Sequence, residues 1–383
     1  MARTGRWTLD AIGRVSGFVC RTFNAGATTS NMIAPKLLTR DVRRARLIPS
    51  STRVVRRDSA SILPDTVVKL HGCFGLGDTL YLRSIVDLWA ATREPGTTYI
   101  HTPWPQLWQG SPVRIIRSGT HLRTQLVNEH RNLHLYAERE PPNARRMAMG
   151  YNGGDFEAGL TVTEALAARL AFALPDKMDH AFRVPDAWKW RPGIEHICVG
   201  DDTPEMQQHR QNIASRPLAF VRPPTIRSEW RAPGRNPDPK AFSALVDRLI
   251  ETHHVVSVAH TAQEEWIVDP IQAHTRYERG ELSLEQMLGL LASADIALGG
   301  VGFVVPAIAT TSTRGFILAG GVLQANDARA LLDSRFDWNV RFAYPDTNNQ
   351  CRCTKYQHTC KKKTDPARVV GELESFMSET QWR

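Results

Sequence analysis

Along most of this chain, short apolar runs give way after a glycine or a charged turn to stretches in which apolar residues return every three or four positions. The clearest case covers 67–82, VVKLHGCFGLGDTLYL. Val67, Val68 and Leu70 suit a buried strand, Gly72, Gly75 and Gly77 break the pattern, and Leu80, Ile85, Leu88 and Trp89 then recur at helical spacing. The order predicted is strand, glycine turn, helix. Further strands are predicted over 97–101, 113–116 and 133–136, and an Ala- and Leu-rich helix over 160–174. Past an irregular tract at 184–217 the exchange resumes. Strands are expected at 218–221, 255–259, 295–298 and 314–317. A helix over 239–251 places Phe242, Leu245, Val246 and Leu249 on one face, and Ser283 with Gln286 three residues later forms a capping-box signature for a helix through Leu291. A last helix is predicted over 366–377. Strands alternating with helices at this spacing imply an α/β chain with parallel sheets and right-handed crossovers.

Length and composition change that picture in one respect. At 383 residues with 42% hydrophobic content, the chain suits two domains better than one. No run approaches the ~20 apolar residues of a membrane helix, so no transmembrane segment is expected. The net charge of +9 is confined to one place: residues 1–60 hold Lys36 and eleven arginines against Asp10, Asp41 and Asp58, while the rest carries 36 basic and 36 acidic residues. This reads as a basic, mobile N-terminal arm giving non-specific, salt-dependent contact with polyanions, whether nucleic acid or an anionic membrane surface. Six cysteines without a secretory signal suggest a reducing, cytoplasmic setting and no disulfide framework.

Two stretches carry candidate chemistry. At the first glycine turn the backbone can approach an anion at the helix start, yet Asp78 sits where a phosphate would dock. A carboxylate there is either a base that orients a hydroxyl or a first-turn acid that complements the helix dipole, worth ~1 kcal/mol. Near the C-terminus Cys351, Cys353, His358 and Cys360 have the residue types of a tetrahedral structural zinc clip, though C-x-C-x4-H-x-C is not the common spacing; metal-free thiols read equally well. His260, at the end of a predicted strand, either faces a nucleotide base or is an ordinary loop histidine. Trp104 and Trp108 either stack on an acceptor or pack.

Gly75-Leu76-Gly77-Asp78-Thr79-Leu80 after a short strand resembles the opening of the heptosyltransferase-like glycosyltransferases, the ADP-heptose:lipopolysaccharide transferase family (glycosyltransferase family 9). The likeness continues through Arg222-Pro223-Pro224 with Arg227, Trp230 and Arg231, through the helix and strand of 282–295, and through Gly299-Gly300-Val301-Gly302 before Pro306. It implies the GT-B architecture, two Rossmann-like domains facing a cleft. The basic arm would occupy 1–62, the acceptor domain 63–185, a linker 186–216 and the nucleotide-sugar domain 217–345. The Cys-rich segment and a helix crossing back to the first domain would fill 346–383.

The resemblance makes Asp78 the catalytic base. It gives Gly75, Gly77, Arg222, Arg227, Arg231, His260, Gly300 and Gly302 to a nucleotide-diphosphate sugar, with no catalytic metal. The acceptor hydroxyl would belong to a glycan, lipid or small molecule. Alternatives are a phage enzyme acting on hydroxymethylated pyrimidines in DNA, and a non-catalytic member binding nucleotide or polyanion. The last draws on a departure from the family pattern, whose Asp, Ser or Thr, Gly and downstream His are replaced around Gly300, Val301 and Gly302 by glycine and apolar residues.

Overall fold

The computed structural model describes residues 62–379, except 121, 138, 198–202, 228–234, 263–264, 269, 323–325 and 348–361. The described residues belong to one compact unit. Its first part carries strands β1 (Val68–Gly72), β2 (Thr98–Thr102), β3 (Arg114–Arg117) and β4 (Arg145–Met149), in the spatial order β3-β2-β1-β4 and all parallel. Helix α1 (Leu76–Ala90) follows β1, and α2 (Arg123–Arg131), α3 (Gly153–Glu157) and α4 (Val162–Arg169) complete this part.

One predicted strand is wrong. Leu133–Leu135 form a turn of 3-10 helix just past α2, and the fourth strand is β4. Arg145 and Arg146 are exposed on this edge strand, where charged side chains discourage pairing with another chain, and they mask the apolar signal. The helix predicted over 160–174 is shorter than its pattern. Thr161 and Glu164 cap α4 reciprocally, and the chain turns off where Ala171 takes a φ of 50°.

The tract before the second sheet is more regular than predicted: Thr203 caps α5 (Pro204–Ala214), with proline at its first position. Then come β5 (Leu218–Arg222), β6 (Thr225–Ile226), α6 (Pro239–Thr252), β7 (His254–Val258), β8 (Trp266–Ile267), β9 (Thr275–Tyr277), α7 (Leu284–Ala292), β10 (Ile296–Gly299), α8 (Val304–Thr311), β11 (Arg314–Leu318), α9 (Ala328–Leu331), β12 (Val340–Ala343) and α10 (Pro366–Ser378). Six strands form a parallel sheet in the order β12-β11-β10-β5-β7-β9, and β6 pairs with β8 in a small antiparallel ribbon. Counted within each sheet, the orders are 3-2-1-4 and 3-2-1-4-5-6, the winding of dinucleotide-binding α/β folds.

The second sheet is buried on both faces, and its strands show why. Phe220, Val256, Ala297 and Ile317 point to one apolar cluster, whereas Val221, Val255, Leu298 and Phe316 point to the other. The latter cluster is closed by Phe242, Leu245 and Leu249 of α6 and by Val369, Leu373 and Phe376 of α10. Helix α10 therefore packs on α6 and β12 instead of crossing back to the first part. Its apolar face, repeating at four and three residues, finds its partner on the neighbouring helix.

The other cluster runs without a break from the first sheet into the second, joining Leu70, Ile85 and Leu166 to Phe220 and Val304. Helices α1 and α8 meet inside it. A β-carbon on Gly77 would lie 3.0 Å from Phe303 Cα and 3.4 Å from Pro306 Cγ, and the Tyr81 hydroxyl donates to Leu331 O at 2.9 Å.

Candidate functional site

In doubly wound sheets a ligand site forms beyond the C-terminal strand ends, at the point where the strand order reverses. That point lies between β1 and β4 in the first sheet and between β5 and β10 in the second. The α1–α8 contact brings the two together.

At the first point β1 ends on Gly72, whose φ of 129° admits no side chain; a β-carbon there would fall 2.0 Å from Met149 O. Cys73 takes a φ of 56°, and α1 begins past Gly75. The Thr79 hydroxyl donates within the turn, to Cys73 O or Gly75 O, each at 2.9 Å. Trp104 Nε1 donates to Phe74 O at 2.8 Å, so Trp104 braces the turn, and Trp108 is fully buried. For both tryptophans packing is the correct reading.

Asp78, in the first turn of α1, is half-buried, and its Oδ1 accepts a hydrogen bond from the Tyr151 hydroxyl at 2.5 Å. Register explains the pairing: Gly72 lies opposite Met149, so Tyr151, two residues beyond β4, arrives beside the turn after β1. Burial and the Asp78 charge push the Tyr151 phenol well above its ordinary range. The same two causes raise the Cys73 thiol. With one carboxylate oxygen engaged by the phenol, the other is left to accept a hydrogen bond from a third group.

At the second point, β5 ends on Arg222, whose Nη1 donates to Val258 O at 2.9 Å while its guanidinium lies 5.5 Å from the Phe303 ring centroid. Burial, with the Arg227 charge beside it, lowers Arg222 to about 9, so it remains a cation at neutral pH. Beyond β10, Gly300 packs near the 235–237 backbone, where a β-carbon would meet Pro237 Cδ at 3.3 Å, and Gly302 has open space around it. No side chain caps the start of α8. Arg235 completes this side: its backbone lies near Gly300 and Gly320, and its charge acts on the hydroxyls of Tyr81 and Tyr151 beside Asp78.

His260 lies past β7 with its ring where a Gly280 side chain would be. Burial and the positive charges of Arg123, Arg222, Arg227 and Arg131 lower it to about 4, so it is a neutral ring among cations. Arg123, from α2, donates to His260 O at 3.3 Å and to the buried Glu265 carboxylate at 2.9 Å, tying the first part to the second.

The structure thus groups Asp78 and Gly77 with the start of α8, and Arg222 and Arg227 with His260. Tyr151 and Arg235 are the residues that sequence reasoning missed. Arg235 had a visible signal, as the last arginine of a loop that already holds Arg222, Arg227 and Arg231. Arg231, Trp230 and the Cys351, Cys353, His358 and Cys360 cluster lie outside the described residues. Among the described residues no group of three His, Cys, Asp or Glu side chains could hold a metal ion, and no helix is long and apolar enough to cross a membrane.

Two doubly wound parallel sheets within one unit are a fold that this chain shares with a solved glycosyltransferase. The iron-containing dodecameric glycosyltransferase TibC of enterotoxigenic E. coli superposes with a TM-score of 0.51 at 12% identity, over 84% of this chain and 81% of that one. The ADP-heptose lipopolysaccharide heptosyltransferase II of E. coli gives 0.46 at 13% identity (82% and 98% covered), and a family 9 glycosyltransferase of Veillonella parvula gives 0.46 at 9% (83% and 99%). Neither a protein-family model nor a curated protein sequence matches the chain. The likeness to TibC is one of fold.

Proposed function

We propose that this chain is a glycosyltransferase that moves a sugar from a nucleotide-diphosphate sugar to an acceptor hydroxyl, with Asp78 as base. The observation that carries the reading is the meeting of the two switch points: a carboxylate held at the start of α1 by Tyr151, on whose hydroxyl the charge of Arg235 acts, with Gly77 of the same turn packed against Phe303 at the start of α8. The TibC fold, in a protein described as a glycosyltransferase, supports it. In this reading the part up to residue 185 receives the acceptor and 217–345 the donor, in the GT-B manner.

The acceptor oxygen attacks the anomeric carbon as its proton passes to Asp78, and the bond from that carbon to the diphosphate oxygen breaks. Negative charge then grows on the departing nucleotide diphosphate. Arg222, Arg227 and Arg235 offset it, together with the amides of the Gly300–Gly302 turn, and this preorganised electrostatic stabilisation is itself a catalytic contribution.

The test is mass-spectrometric detection of transfer from a panel of nucleotide sugars, with glycan and hydroxymethylated-DNA acceptors offered in parallel. Asp78→Asn is expected to lower transfer ~10³-fold while nucleotide binding by calorimetry is unchanged. Equal turnover in that variant would remove Asp78 from the mechanism. Binding without transfer from any donor would favour a non-catalytic protein, and sugar appearing only on DNA would fix the acceptor class.

A further inference from the structure

We propose that Tyr151 is a positioning residue for this reaction: by holding Asp78 Oδ1 it leaves Oδ2, on the side of Gly75, as the atom that takes the acceptor's proton. The inference rests on the function proposed above.

Three observations carry it. The Tyr151 hydroxyl donates to Oδ1 at 2.5 Å, so one carboxylate oxygen is already engaged. Oδ2 points elsewhere: a β-carbon built on Gly75 would stand 2.6 Å from it. Chain neighbours aside, nothing but the Asp78 side chain lies within 3.9 Å of that point. A side chain at position 75 would therefore crowd Oδ2, which glycine leaves uncovered on that side. Gly75 has φ −62° and ψ 144°, a conformation open to any residue, so backbone geometry does not require glycine there.

The third observation is the anchoring of Tyr151. It leaves the sheet at the end of β4, and the next residue, Asn152, caps α3 in a reciprocal box with Asp155. Asp155 is held in turn by Arg169 Nη2, at 2.9 and 2.7 Å to its two oxygens. The Tyr151 ring also lies against Phe156, with centroids 5.5 Å apart. A phenol fixed in this way can hold a carboxylate in one rotamer. Burial keeps it protonated, so it donates throughout and exchanges no proton with Asp78.

In the transfer step the acceptor O–H proton goes to Oδ2, the acceptor oxygen bonds to the anomeric carbon, and the electron pair of the broken bond leaves with the diphosphate. Tyr151 is unchanged at the end. Its contribution is orientation, the loss of which lowers turnover without loosening the donor.

The experiment compares Tyr151→Phe, which keeps the ring against Phe156 and deletes only the hydroxyl, with wild type and Asp78→Asn. The expected result is a kcat for transfer lower by roughly 10- to 100-fold, with donor KM and calorimetric donor affinity within about twofold of wild type and the melting temperature preserved. Wild-type kcat in Tyr151→Phe, with Asp78→Asn inactive, overturns the proposal and leaves the base assignment standing. A fall in kcat accompanied by a lower melting temperature and weaker donor binding would reduce Tyr151 to a structural role. Full activity in Asp78→Asn would overturn both readings. Gly75→Ala supplies an independent check that does not depend on Tyr151. It should lower kcat/KM for the acceptor roughly tenfold or more, and unchanged acceptor kinetics would sink the Oδ2 assignment.

Discussion

The two sheets share one winding and differ in how they are supported and in what they present. The first has four strands. Its α1 side is apolar, whereas the other carries Lys69, Tyr99, Arg114 and Arg146, linked by contacts such as Lys69 with Glu140 and Arg114 with Tyr99. The second has six strands and an apolar cluster on each face. Their switch points differ in the same sense. Paired side chains build the first, around Asp78, Tyr151 and Thr79, and backbone and cations build the second, around Gly300, Gly302, Arg222 and Arg235. A shared winding therefore carries a carboxylate–phenol pair at one edge and cations at the other, which under the proposed function would handle a proton and an anion, with the sequence at the strand ends deciding which.

This comparison can be broken most forcefully through stability. Leu245 is fully buried beneath the second sheet, and Leu245→Ala should cost ~2–5 kcal/mol in urea denaturation. On the open face of the first sheet, Lys69→Ala should cost ~1 kcal/mol or less, because its partner Glu140 is largely exposed. Similar losses at the two positions would remove the distinction between the sheets.

A smaller effect is expected at the anion edge. Arg235→Ala should weaken donor binding by ~1.5–3 kcal/mol, read as Kd by calorimetry, with the melting temperature little changed. A variant that binds donor normally but loses turnover would move Arg235 to the side of the proton.

The pH dependence of stability sharpens the contrast further. His254, in the core of the second sheet and fully buried, is lowered from 6.5 to about 4 by burial and the nearby His274 and Arg191. The unfolded chain takes up a proton below 6.5 that the folded chain refuses until about 4, so stability is complete above 6.5 and falls as the pH drops through that window. One such group accounts for about 1–2 kcal/mol between pH 7 and 5. His254→Gln should flatten the difference between urea midpoints at those two pH values by about that amount.

How far the chain could be read in advance follows from burial. The strands at 218–221, 255–259 and 295–298 are buried on both faces, and such strands are written as nearly continuous apolar runs, LAFV, VVSVA and DIAL here. Strand β4 lies on an edge and opens with Arg145 and Arg146, and a neighbouring 3-10 turn, Leu133–Leu135, imitated it. Missing β4 also hid Tyr151, because only the register of β4 with β1 brings that hydroxyl to Asp78. Asp78 was legible because its turn is contiguous in sequence. Tyr151 gains its meaning from a pairing with Asp78 across 73 positions, and Arg235 from its charge acting on Tyr151 and Tyr81, far away in the sequence. The periodicity of α10 announced a helix with one apolar face; which neighbour would cover that face is a question of tertiary packing, and α6 covers it.

Where α1 meets α8, a methyl group on Gly77 would stand 3.0 Å from Phe303 Cα, so the two main chains would have to part by a few tenths of an ångström to admit it. Side chains can be lengthened or trimmed to resize a site, but a contact between two main chains has almost no give. The separation between the carboxylate of α1 and the turn before α8 is in that sense a built-in gauge. Under the proposed function, a sugar of a different size would have to be fitted by reshaping the loops around it, and Gly77→Ala would disturb the gauge itself before any residue of the chemistry had been touched.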